Sequence, residues 1–235
     1  MTIDKLKELL REIGITLTKK QGKQLHKYYD LVIETNEHVN LTRITEKDDF
    51  YLKHFYDSLT LIKAIDLYEE MSVLDFGTGA GFPGIVLKIC FPNLKITLVD
   101  ALEKRCNFLN KVIEELELTD IEVIHARGED FAKRHREKYD LVVSRAVANL
   151  NTLVEICMPM VKVNGYFVAM KGDASEEVES SMKAIELLES RLEDVISFEL
   201  PIEKSIRNLV KIKKLGKNKR IYPRNFDQIK KRPLK

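Results

Sequence analysis

Asp75, Gly77, Gly79 and Gly81 occupy alternate positions in the run SVLDFGTGAGFPGIVL, Ser72 to Leu87, and Gly84 follows three residues later. Such a run lets a backbone turn sharply and approach a ligand without Cβ atoms in the way. Asp100 closes a second apolar run, ITLVD, and Gly128–Glu129 follow a third, IEVIHAR. A carboxylate at the end of such a run can accept hydrogen bonds from two ribose hydroxyls, which suits a nucleoside ligand. Arg145 ends the run LVVSR, where it can bond a base carbonyl, contact phosphate or brace the pocket, and Lys171 after YFVAM is a candidate for base or phosphate. No Cys–His pair resembles an activated nucleophile. The chemistry these residues suit is positioning and electrostatics rather than covalent catalysis.

From Gly79 onward, GAGFPG also satisfies the dinucleotide pattern G-x-G-x-x-G, which is weak alone. Asp75 at the tip of the first strand argues against a pyrophosphate and for a cationic ligand. S-adenosylmethionine carries a sulfonium and an ammonium and no phosphate, so it fits better than a nicotinamide dinucleotide. Enzymes that methylate an exocyclic amine often carry a D/N-P-P-aromatic motif after the fourth strand, where this chain reads Ser144-Arg145-Ala146. An atom with its own lone pair, such as a ring nitrogen, is therefore the expected methyl acceptor.

These residues need a sheet to bring them together. Short β-rich runs at Val73–Phe76, Lys95–Val99, Glu122–His125, Leu141–Ser144, Tyr166–Met170, Val195–Leu200 and Asn208–Ile212 alternate with helical stretches. That alternation predicts βαβ units in an α/β fold with a largely parallel sheet, whose ligand site lies beyond the carboxyl ends of the strands. A helix should begin near Pro83 or Gly84. Before Ser72 the texture is helical. Thr2 precedes Leu6, Leu9, Leu10 and Ile13, with Gly14 as a stop. Thr18 starts a second helix to about Val39 that buries Leu25, Tyr28, Tyr29, Val32 and Ile33, and two shorter segments follow near 46–54 and 57–67. The expected division is a helical cap over 1–68 packed on the sheet, a Rossmann-like domain over 69–215 and a basic tail over 216–235.

The 235 residues are 44% hydrophobic, enough for a core, and no apolar run reaches membrane-spanning length. Cys90, Cys106 and Cys157 form no C-x-x-C pair and are expected as reduced thiols of a cytoplasmic protein, without a metal site. Charge is uneven: residues 211–235 hold eleven Lys or Arg against Asp227 alone, a charge of +10, whereas the first 210 residues carry −8. A basic arm on an acidic body suits a polyanion partner.

VLDFGTGAGFPGIVLKICFP, LVDALEKRCNFL, HARGED, SRAVANL and YFVAMKG together resemble the glucose-inhibited division protein B family, bacterial small-subunit rRNA guanine-N7 methyltransferases. The likeness continues through ETNEHVNLTRI and YLKHFYDSL upstream and RNLVKIKK and KRIYPRNFDQIKKRPL downstream. Thr35-Asn36 stands where many members carry Trp-Asn. The resemblance implies a class I S-adenosylmethionine-dependent methyltransferase with a seven-stranded sheet, its last strand antiparallel. It also implies action on N7 of a guanosine in the 530 loop of 16S rRNA; the expected partner is 16S rRNA or the small ribosomal subunit, and the expected state is a monomer. By position it assigns cofactor contacts to Gly77, Phe82, Asp100, Ala101, Leu102, Gly128, Glu129 and Arg145, and it leaves Asn40 and His54 at the pocket edge. The alternatives are an NAD-dependent oxidoreductase and a non-catalytic RNA-binding assembly factor.

Overall fold

A computed structural model describes residues 1–145 and 147–234; Ala146 of the SRAV motif lies outside the described residues. Helix α1 (Ile3–Glu12) starts where the Thr2 hydroxyl accepts the Lys5 amide, and it buries Leu6, Leu9 and Leu10. Helix α2 (Lys19–Asn36) opens with a reciprocal Thr18–Gln21 capping box, which satisfies two otherwise unpaired backbone donors. It ends three residues before the expected Val39, because the Asn36 side chain accepts the Leu41 and Thr42 amides and folds the chain back.

The two expected segments after α2 are one continuous helical run. Helix α3 (Lys47–Phe50) passes through a π-helical turn, Tyr51–Tyr56, into α4 (Asp57–Leu59) and a 3₁₀ turn, Thr60–Lys63. Tyr51, Leu52, His54, Phe55 and Tyr56 are all buried. A helix surrounded by apolar neighbours loses the one-sided pattern by which sequence reading finds its limits.

Seven strands form one sheet: β1 (Ser72–Phe76), β2 (Lys95–Asp100), β3 (Ile121–His125), β4 (Tyr139–Arg145), β5 (Val161–Lys171), β6 (Ser190–Glu199) and β7 (Ile206–Lys214). Their order is β3-β2-β1-β4-β5-β7-β6, parallel through β5, with β7 antiparallel to both β5 and β6. All seven expected strands are present. Two start about five residues early, where Asn164–Gly165 in β5 and Arg191, Glu193 and Asp194 in edge strand β6 dilute the apolar signal. Charged residues on an edge guard it against pairing with another chain.

Helices α5 (Gly84–Cys90) and α6 (Glu103–Glu115) lie with the cap on one face of the sheet, sharing a core that runs from Leu6 to Leu209. Helices α7 (Gly128–Arg134), α8 (Leu150–Cys157) and α9 (Ser175–Leu187) cover the other face over a second core. Cap residues and sheet residues thus share the first core. The tail is not a free arm. Its helix α10 (Phe226–Lys231) buries Ile229 in the second core. Arg224 lies 2.7 Å from the fully buried Glu155 carboxylate, and Arg136 donates to the carbonyls of Asn218 and Tyr222. Lys214 is buried on Met158 and Val161 carbonyls, and desolvation lowers its pKa to about 8.

Candidate functional site

A cleft of about 690 Å³ opens beyond the carboxyl ends of the parallel strands and is walled on one side by the cap. Gly77, Gly79, Phe82, Asp100, Ala101, Leu102, Gly128, Arg145 and Lys171 all line it, as does His54. Asp75, Gly81, Glu129 and Asn40 do not.

The glycines divide by purpose. Gly77 and Gly79 have φ of +70° and +61°, which L side chains rarely adopt. A Cβ on Gly79 would meet nothing within 4 Å, so that backbone stands open to the cleft. Gly81 was expected to clear space for a ligand, but its missing side chain makes room for the cap. A Cβ there would come 2.5 Å from the Tyr28 hydroxyl, which donates to the Ala80 carbonyl. The cap thus reaches down to the loop itself.

Asp75 also departs from expectation. It is fully buried, and Oδ2 accepts the Thr78 hydroxyl at 2.6 Å and the Gly84 amide at 2.8 Å. The carboxylate ties the loop to the start of α5 and does not line the cleft. Burial raises its pKa to about 6, against the lowering effect of its hydrogen bonds and of Arg145. Asp100 accepts the Gly79 amide on Oδ2 and the Leu102 amide on Oδ1, both at 2.9 Å, with Arg105 at 3.5 Å. Each oxygen keeps a further lone pair, so one side chain can set the loop and still receive a ligand at the cleft. Glu129 sits in the first turn of α7, where a negative charge suits the helix dipole.

Arg145 and Lys171, the candidates for holding a base, are both committed within the protein. Arg145 donates from Nη1 to the Lys53 carbonyl (2.9 Å) and Asp57 (3.2 Å), and from Nη2 to His54 Nδ1 (3.0 Å). Because Nδ1 accepts, the neutral His54 ring donates from Nε2 to Thr42 Oγ1 at 2.8 Å. Burial and then the neighbouring guanidinium lower the His54 pKa to about 3. His54 stacks on Phe82 at 4.3 Å and 7°, and the Arg145 guanidinium lies 5.2 Å from the same ring. Lys171 donates to the Ala148 carbonyl (2.6 Å) and Glu177 (2.8 Å). Both cations brace the wall.

Asp57, Arg207 and Asn208 line the cleft without having been singled out. Asp57 Oδ1 lies 3.3 Å from Arg207 Nε while Oδ2 meets Arg145, so one buried carboxylate joins the cap to β4 and β7. Asp57 and Arg207 fell in runs noted for overall likeness, YLKHFYDSL and RNLVKIKK; no local spacing distinguishes either one. Arg207 Nη1 donates to Ser205 and to the Ile206 carbonyl, and among the described residues Nη2 has no partner.

The chain matches the family model described as GidB, rRNA small subunit methyltransferase G, over residues 21–210. It is 48% identical to the ribosomal RNA small subunit methyltransferase G of Bacillus cytotoxicus and 47% identical to that of Bacillus cereus strain B4264; both alignments cover the whole chain and 99% of the relative. Among solved structures, a SAM dependent methyltransferase from Aquifex aeolicus aligns with a TM-score of 0.52 at 21% identity, over 71% of this chain and 93% of that one. M. jannaschii TYW2 in complex with AdoMet aligns with a TM-score of 0.53 at 15% identity, over 68% and 77%. At such identities the structural likeness speaks for the fold alone.

Proposed function

The chain belongs to the GidB family, rRNA small subunit methyltransferase G, and from that premise we propose that its strand-tip cleft methylates N7 of a guanosine in the 530 loop of 16S rRNA. S-adenosylmethionine is the cofactor, and it supplies a methyl group made electrophilic by the sulfonium. The cleft residues fit it: Gly79 leaves open space, Asp100 offers free lone pairs to a ribose, and Leu102, Ala126 and Gly128 give a small apolar edge for a base. A dinucleotide fits poorly. The pyrophosphate of such a cofactor seeks the amides at the start of the helix after β1, and here the Gly84 amide is already bonded to Asp75.

One observation supports a ring-nitrogen acceptor above the others. Apart from Asp100, which the ribose would occupy, the carboxylate and imidazole of the cleft are already engaged: His54 is neutral with its nitrogens bonded to Arg145 and Thr42, and Asp57 is held between two arginines. That leaves little to remove a proton. Guanine N7 has none to remove, since it presents a lone pair on the major-groove edge. The work left to the protein is orientation. Arg207 is the candidate donor to the base or its phosphate, because its Nη2 remains available at the cleft wall.

Incubation with a labelled methyl donor and small-subunit RNA, followed by nucleoside analysis, tests this reading. It predicts label in 7-methylguanosine from the 530 loop. Label in an exocyclic N-methyl nucleoside would contradict it.

A further inference from the structure

The cap-side face of β5, β7 and β6 carries cations that the cleft does not use. Strand alternation and register set Tyr166 beside Lys213 and Arg191, then Val168 beside Lys211 and Asp194, then Met170 beside Leu209 and Ile196; Phe198 pairs with Arg207 above them. The ammonium of Lys211 lies 4.4 Å from the Tyr166 ring centroid and that of Lys213 5.6 Å, while Lys63 from the cap lies 5.4 Å from Phe198. These rings hold the lysines in place. Glu193 is taken by Arg191 at 2.8 Å and Glu203 by Lys53 at 3.4 Å. Among the described residues no ion pair includes Lys63, Lys211 or Lys213. Tyr166, Ile196, Phe198, Lys211 and Lys213 all stay partly exposed, because α9 covers the opposite face.

We propose that this face is a docking track for the RNA backbone, leading phosphates across the open sheet to Arg207 at the cleft. The inference rests on the rRNA-methylating reading above. From Lys213 to Arg207 the strand advances about 20 Å, with two lysines at its far end, one apolar row of Met170, Leu209 and Ile196 between, and Arg207 at the cleft. Charge complementarity selects the occupant: lysines that make no ion pair among the described residues, set on aromatic rings and outnumbering Asp194 beside Lys211, suit a row of phosphates. The basic tail packs over the other core and does not lead to the cleft.

The test is a Lys211→Glu/Lys213→Glu double variant of the full chain, with Lys230→Glu/Lys231→Glu in the tail as comparison. Methylation kinetics and filter binding on small-subunit RNA across a salt series are read beside calorimetry with S-adenosylhomocysteine. The face variant is expected to raise KM about ten-fold and to flatten the salt slope by roughly 1.4–1.8 for two lost phosphates. Its kcat, cofactor affinity and unfolding midpoint should hold, and Lys211→Gln/Lys213→Gln should fall between. An unchanged KM and slope, or the main loss in the tail variant, overturns the proposal. So does a wild-type dimer that dissociates on charge reversal, since a second copy would then cover the face. Wild-type protein that binds cofactor but leaves the RNA unmethylated would instead remove the reading beneath, and filter binding would still report on the track.

Discussion

The N-terminal cap and the C-terminal tail are additions to the same sheet, one on each face, and both are fastened by a buried carboxylate that takes arginine. Asp57 in the cap receives Arg145 and Arg207; Glu155 in α8 receives Arg224 of the tail. The local chemistry is alike, and location separates the consequences. Asp57 lies at the strand tips, where its partners wall the cleft and stand beside the Phe82–His54 stack. Glu155 and Arg224 of the tail do not line the cleft. The cap forms part of the cleft wall, and the tail is fastened to the other core.

Substitutions at the two carboxylates should break this symmetry in opposite ways. Asp57→Ala leaves two partly buried guanidiniums without their anion, a change that costs about 3 kcal/mol in comparable settings. It also releases the cap from β4 and β7, and a shift of even about 1 Å at a reaction centre costs roughly a hundred-fold in rate. Thermal unfolding and single-turnover methylation should both register the change, with the rate loss exceeding what unfolding explains. Glu155→Gln should be milder. It removes the charge beneath Arg224 and is expected to cost about 2 kcal/mol, with kcat on folded protein unchanged. A matching loss of kcat in the tail variant would erase the distinction drawn between the two regions.

Much of this was legible in the sequence, for a physical reason. Strands such as Val73–Phe76 are buried on both faces in a parallel sheet, so they read as unbroken apolar runs between turn residues. The cleft positions at strand ends followed from that order, and most of the residues expected there line it. Side-chain direction did not follow. Asp75 reads as a carboxylate at a strand tip, yet the chain doubles back so that the Gly84 amide covers it. Arg145 reads equally as a base contact, a phosphate contact or a brace, because Asp57 and His54, which fix it as a brace, lie some ninety residues earlier in the chain. The tail shows the same limit: composition reports its charge, but only the folded chain brings Glu155 to Arg224 and Ile229 into the core.

The central claim is that the strand-tip cleft receives the cofactor's ribose on Asp100. Calorimetric titration of S-adenosylhomocysteine into wild type and Asp100→Ala tests it most directly. Charge-assisted hydrogen bonds of this kind contribute about 1.5–3 kcal/mol, so affinity should fall roughly ten- to a hundred-fold while the unfolding transition persists. An Asp100→Ala protein that binds the ligand as tightly as wild type would contradict the account.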